Sequence, residues 1–124
     1  NTFAIYMTRL VLEWLKEQGG VAAIERVNRQ KADTLYAVID RGAGEGFYRG
    51  HARREHRSIT NVTFHLARPE LQERFLQEAL AEGLYALKGH RAVGGLRASI
   101  YNAMPLEGTQ GLAAFMAEFE RRHG

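Results

Sequence analysis

Apolar residues recur along this chain at two periods, and the change of period divides it into elements. Phe3, Met7, Leu10, Val11, Trp14 and Leu15 return at helical spacing. Ile5 and Leu12 put apolar groups on another side of the same helix. A helix that is apolar on more than one side needs a second partner, either another domain or another subunit. Gln18-Gly19-Gly20 ends it, because glycine accepts the left-handed backbone of a helix terminus. A second helix is predicted from Val21 to Ile39, carried by Val21, Ile24, Val27, Leu35, Val38 and Ile39. Asn28 and Lys31 interrupt that stripe. Arg41 to Gly46, with three glycines, reads as a loop, and Phe47-Tyr48 opens a short strand.

From Ile59 to Leu66 the pattern changes to alternation. Thr60, Val62, Phe64 and Leu66 share one face; Ile59, Asn61, Thr63 and His65 share the other. This is the signature of a half-buried strand. Pro69 suits the first turn of a helix, where its missing N–H costs nothing. Leu71, Phe75, Ala79 and Leu80 form the stripe of that third helix, and Gly83 stops it. Leu84 to Leu87 is a short strand candidate. Leu96 to Tyr101 is a better one, with Leu96, Ala98 and Ile100 pointing one way and Arg97, Ser99 and Tyr101 the other. Leu112, Phe115, Met116 and Phe119 mark a final helix, on which Glu118 and Arg122 are spaced as an ion pair. Helix, helix, strand, helix, strand, strand, helix predicts an α+β fold, a small mixed sheet covered by helices, with residues 1–124 forming a single domain.

Composition narrows the function only a little. The 124 residues are enough for one core. No apolar run approaches the ~20 residues of a membrane span, and the start shows no signal-peptide pattern. Cysteine is absent, which excludes disulfides and thiolate zinc sites and fits a reducing, cytoplasmic setting. A net charge of +3 permits contact with anions but is too mild to name nucleic acid. Arg49, Arg53, Arg54 and Arg57, with His51 and His56, crowd one short segment. It reads as a solvated loop, with a polyanion patch as the alternative; the strands carry no aromatic RNA-binding pattern. The chain opens at Asn1 and enters a helix almost at once, which reads as a piece of a longer protein.

The chemistry concentrates between Gly89 and Asn102. His90 and Arg91 follow Gly89 in a turn, and Arg97 comes six residues after Arg91, with Gly94-Gly95 between. Arg97 stands on an otherwise apolar strand, so its side chain is expected to leave the packed face into a cleft. A guanidinium beside a core is costly to desolvate unless an anion meets it. Its planar fork matches a phosphate or a carboxylate. Two such grips, set apart, suit a small substrate with an anion at each end. Lys88 invites a reading as a carbonyl-binding nucleophile, but it sits in a glycine-bounded loop with no evident pocket. Lys16 and Lys31 lie on helices and are expected at the surface. None of the five histidines is paired at metal-ligand spacing on one element, and no metal is expected. Trp14 and Tyr6 fit helix packing better than base stacking.

The run from Gly89-His90-Arg91 through Gly94-Gly95-Leu96-Arg97-Ala98-Ser99-Ile100-Tyr101-Asn102 to Gly108 resembles the signature of the phosphoserine aminotransferase family. The likeness extends to Asn61-Val62-Thr63-Phe64, to Phe115-Met116, to Phe119 through Gly124, to Thr2 through Met7 and to Leu12 through Lys16, almost the whole chain. The resemblance implies a homodimeric, fold type I, pyridoxal-phosphate enzyme with a large cofactor domain and a small C-terminal domain. By the same resemblance, this chain corresponds to the small domain and the helix entering it. The family's reaction exchanges an amino group between phosphoserine with 2-oxoglutarate and 3-phosphohydroxypyruvate with glutamate. Bacterial members also serve pyridoxine synthesis through phosphohydroxythreonine. His90 and Arg91 correspond to family residues that hold the substrate phosphate, or the distal carboxylate of glutamate, in the partner subunit's active site. Arg97 corresponds to the residue that holds the α-carboxylate.

Two departures stand out. The family runs Asn-Thr-Pro-Pro-Thr-Phe where this chain has Asn1-Thr2-Phe3. Asn1 and Thr2 are either the family's Asn-Thr pair, which binds the cofactor phosphate of the neighbouring subunit, or Thr2 is the later threonine and Asn1 lies outside the match. The large domain is also missing, with its cofactor lysine and the aspartate that pairs the pyridine nitrogen, so these residues alone are expected not to transaminate. A stand-alone phospho-amino-acid binding or regulatory module is the alternative.

Overall fold

The alternation of Ile59–Leu66 decides the layering of the domain. The computed structural model describes residues 1–41 and 46–124. Most of the loop expected at Arg41–Gly46 therefore lies outside the described residues. The elements run α1 (Thr2–Glu17), α2 (Gly20–Ile39), β1 (Tyr48–Gly50), β2 (Asn61–Leu66), α3 (Gln72–Ala81), β3 (Leu96–Ser99) and α4 (Leu106–His123), with short 3-10 turns at Arg54–His56 and Pro69–Leu71. β2 is central in the order β1-β2-β3. The α+β class holds, but both strand pairs are antiparallel, so the sheet is not mixed. The stretch from α3 onward brings the chain back beside the end of β2, where Leu96 meets Phe64.

Leu84 to Leu87 is not a strand. Leu84 N–H donates to the Ala79 carbonyl at 2.9 Å, closing the end of α3. Ala86 then takes left-handed backbone at φ 60, which an extended strand cannot include. Only Lys88 makes a single bridge, to Leu96.

One core lies between the sheet and the helices. Val62, Phe64 and Leu66 of β2 and Leu96 and Ala98 of β3 face Leu35, Val38 and Ile39 of α2, Phe75 of α3, and Met116 and Phe119 of α4. Phe75 meets both Phe115 and Phe119 edge-on at 5.1 Å. Each such side chain contributes about 1.5–3 kcal/mol by leaving water. Tyr48 is buried among them and its hydroxyl donates to the Met116 carbonyl at 2.8 Å, tying β1 to α4. Burial pushes that phenol far above its ordinary range.

Lys31 contradicts the surface expectation: it is fully buried. Its Nζ donates to the carbonyls of Ile100 at 3.1 Å, Tyr101 at 2.8 Å and Met104 at 2.9 Å. An ammonium has three protons, and all three are used. Desolvation lowers its pKa. One turn earlier, Asn28 Nδ2 donates to Asn102 Oδ1 at 2.8 Å. The polar break in the α2 stripe is therefore a grip on the turn that follows β3.

α1 has no buried residue. Phe3 and Ile5 are 73% and 71% exposed, and Tyr6, Val11 and Leu12 are exposed beside them. Tyr6 is thus largely exposed within this chain, and the second partner inferred for this helix is not among the described residues. No helix among them is long and apolar enough to cross a membrane.

Candidate functional site

Register aims Arg97. Across β2 and β3, Val62 faces Ala98 and Phe64 faces Leu96 on the core side. Thr63 faces Arg97 and Asn61 faces Ser99 on the outer side. A cleft of about 270 Å³ lies on that outer face, lined by Asn61, Thr63 and His65 of β2, Arg97 of β3, His51, and the 89–94 turn with His90. Among the described residues no carboxylate lines it. Arg97 is half-buried, and its Nε is fully covered with no hydrogen-bond partner among the described residues. Asn61 Oδ1 is covered and unpartnered too. A half-buried guanidinium whose covered Nε has no acid beside it among the described residues suits an external anion.

The turn that carries His90 is held by backbone. Gly89 N–H donates to Gly95 O at 2.9 Å, and Gly94 N–H to His90 O at 2.8 Å. A Cβ at Gly89 would collide with the Gly94 carbonyl and come within 2.7 Å of the Gly95 carbonyl. Gly95 has φ +66, and its missing Cβ leaves room for the His65 ring, 2.6 Å from where that carbon would stand. Neighbouring backbone thus closes on Gly89, and an imidazole and the Phe64 carbonyl on Gly95, whereas nothing lies within 4 Å of where a Cβ at Gly94 would stand. His90 Nδ1 accepts the Ala92 N–H at 3.2 Å. That bond assigns the ring proton to Nε2, which leaves Nε2 as the donor for a ligand.

Arg97 and His90 therefore come to one cleft. Arg91 is exposed on the same turn and does not line it. Asn1 and Thr2 open α1, away from the cleft lining, and the Asn1 side chain is used as a helix cap, accepting from Ala4 N at 3.2 Å. Lys16 and Lys88 are exposed, and the donors of Lys31 are spent on carbonyls. No lysine of this chain is free in a pocket, so these residues do not fit a cofactor held by its aldehyde. Among the described residues no three potential metal ligands cluster.

Two features escaped the sequence. His51 Nδ1 and His65 Nε2 lie 3.3 Å apart, across two strands. The alternation placed His65 on the face of Arg97, but its partner depends on the β1–β2 register. The basic segment is also partly neutralised from within. Arg57 forks onto Asp40 at 2.7 and 2.8 Å and stacks on Tyr36 at 4.4 Å, and Arg54 reaches the same carboxylate at 3.3 Å. The Arg57 hydrogen bond holds Asp40 below the usual carboxylate range.

The family model "Aminotransferase class-V" matches residues 1–112. The chain belongs to the class-V aminotransferase family. Among solved structures it is similar to a phosphoserine aminotransferase from Bacillus circulans subsp. alkalophilus, 48% identical, with a TM-score of 0.91 over 98% of this chain and 33% of that one. It is also similar to a pyridoxal-phosphate-bound phosphoserine aminotransferase from Trichomonas vaginalis, 34% identical, with a TM-score of 0.82 over 94% of this chain and 33% of that one. The chain thus spans about a third of the length of these relatives, and its fold matches a small domain of such a class-V enzyme.

Proposed function

We propose that this chain is the small domain of a pyridoxal-phosphate-dependent aminotransferase acting on phosphoserine and 2-oxoglutarate, with 3-phosphohydroxypyruvate and glutamate as products. The observation that carries the reading is the covered Nε of Arg97, which among the described residues has no partner and lies in a cleft without a carboxylate. Arg97 would fork onto the substrate α-carboxylate. His90, through Nε2, and Arg91 would hold the phosphate, or the distal carboxylate of glutamate. Arg91 is exposed and outside the Arg97 cleft. That position suits a residue reaching into the partner subunit of a homodimer.

Held at both ends, a substrate has one orientation of its Cα–H bond, and the entropy of finding it is removed before reaction. Pyridoxal phosphate, when bound in the complete protein, would supply an electron sink. Its anchoring lysine belongs to the part of the protein beyond this chain. The uncovered apolar residues of α1 support a large domain seated on that helix.

The test is to express the complete gene product that includes this chain and to assay amino transfer from phosphoserine to 2-oxoglutarate. Turnover is expected, with phosphohydroxythreonine as a second substrate to compare. Phosphoserine binding without turnover would replace this reading with that of a binding module.

A further inference from the structure

His51 and His65 take no part in the proposed amino transfer, yet both line the cleft of Arg97. His65 comes from β2, on the same face as Thr63, which sits opposite Arg97. His51 follows β1, and its N–H donates to the Thr63 carbonyl at 3.1 Å, so the strand ladder fixes it beside β2. At 3.3 Å between His51 Nδ1 and His65 Nε2, one ring must donate while the other accepts. The Cε1–Nδ1 edge of His65 lies where a side chain at residue 95 would be, so Gly95 and the sheet hold the ring in this orientation.

We infer that the His51–His65 pair is a proton-linked second contact for the anion held by Arg97. A proton taken from solvent by the donating ring, at its nitrogen outside the pair, keeps the bond between the rings and leaves one positive charge on the pair. Among the described residues, the charged and titratable neighbours that line the cleft include no carboxylate to balance it. β3 brings Arg97, β1 brings Arg49 opposite His65, and the 89–94 turn brings His90 and the exposed Arg91. Glu55, on the adjoining 3-10 turn, is exposed and does not line the cleft. The negative charge of a ligand is what balances that proton, so anion binding and proton uptake are coupled in both directions. The cleft therefore favours the more highly charged of two ligands, and more so at lower pH. This rests on the anion reading of the cleft and is independent of whether the protein turns over.

Sulfate is a suitable probe, since it stays a dianion between pH 6 and pH 8. Its binding to the complete, cofactor-saturated protein is measured by titration calorimetry in two buffers of different ionisation enthalpy. Wild type should bind about fivefold more tightly at pH 6 than at pH 8, the lower end of typical coupling. It should also take up a fraction of a proton. His65→Gln and the exposed His51→Asn should each lose the tighter binding at pH 6 and the proton uptake. His56→Gln, outside the cleft, should keep both. Arg97→Ala should abolish the binding, which places the sulfate in this cleft. The inference is overturned if sulfate binds without proton uptake, if both pair variants keep the wild-type pH dependence, if Arg97→Ala still binds, or if wild type does not bind. Proton-linked binding in a protein that fails to transaminate would uphold the pair and remove the aminotransferase reading. Turnover without proton-linked binding would do the reverse.

Discussion

Lys31 Nζ lies 2.8 Å from the carbonyl oxygen of Tyr101, deep in the fold and with no carboxylate among its partners. The ammonium is spent on the turn between the strand of Arg97 and α4. Replacing it by methionine keeps an unbranched apolar stem one atom shorter and leaves three carbonyls without their donor. Unsatisfied buried acceptors cost about 1–3 kcal/mol each at most, partly relieved by water. Lys31→Met should therefore lower Tm by about 10 °C. A thermal melt within 2 °C of wild type would show that the turn holds itself.

The stripe of α2 made the helix legible but misplaced this residue. A lysine in an apolar stripe reads as a surface position, because burial of an ammonium is rare without an acid. What buried it was a set of main-chain carbonyls 70 residues away, and a sequence pattern carries no signal for those. The outer face of β2 and β3 was legible for the opposite reason. Alternation is local, so Arg97 and His65 could be assigned to the polar face before any contact was known. The His51 partner could not, because it depends on register between strands that are short and separated by an irregular segment. The strand expected at Leu84–Leu87 failed on the left-handed backbone of Ala86, at a residue type that gives no warning of it.

Asp40 and Arg57 make the strongest ion pair in the basic segment. Arg57 keeps 14% of its side-chain exposure and Asp40 26%. The folded carboxyl titrates below its ordinary value, chiefly through the Arg57 hydrogen bond. Its stabilisation is therefore complete above the unfolded carboxylate range near about 4 and is lost as pH falls through the lower folded value. Asp40→Asn should cost about 2 kcal/mol at pH 7, the worth of a charged hydrogen-bonded pair. Its deficit against wild type should shrink below pH 3. Urea denaturation at the two pH values measures this, and an equal deficit at both would contradict the assignment.

Gly89 is bound to its conformation by two carbonyls, those of Gly94 and Gly95. Gly89→Ala drives a methyl group into them, and the turn bearing His90 must open. A loss of about 3 kcal/mol is expected, at the upper end of ordinary substitutions. An unchanged denaturation midpoint would mean that the turn relaxes freely.

Ile5, on α1, tests the large domain proposed to cover that helix. It is 71% exposed here, so Ile5→Lys should change the stability of the 124-residue chain by less than about 0.5 kcal/mol. If the proposed large domain covers α1 in the complete protein, the same change would bury a charge there and should lower Tm by several degrees. Equal, negligible effects in both would leave α1 without a partner.

The proposed carboxylate grip stands or falls on Arg97, and kcat/KM of the complete protein with phosphoserine and with glutamate is its most direct measure. Arg97→Ala should reduce kcat/KM for both substrates by about 100-fold or more, as loss of a half-buried charged contact implies, because both present an α-carboxylate. Arg91→Ala should reduce kcat/KM for phosphoserine more than for glutamate. Near-normal kinetics in Arg97→Ala with both substrates would contradict the assignment of this cleft as the carboxylate grip.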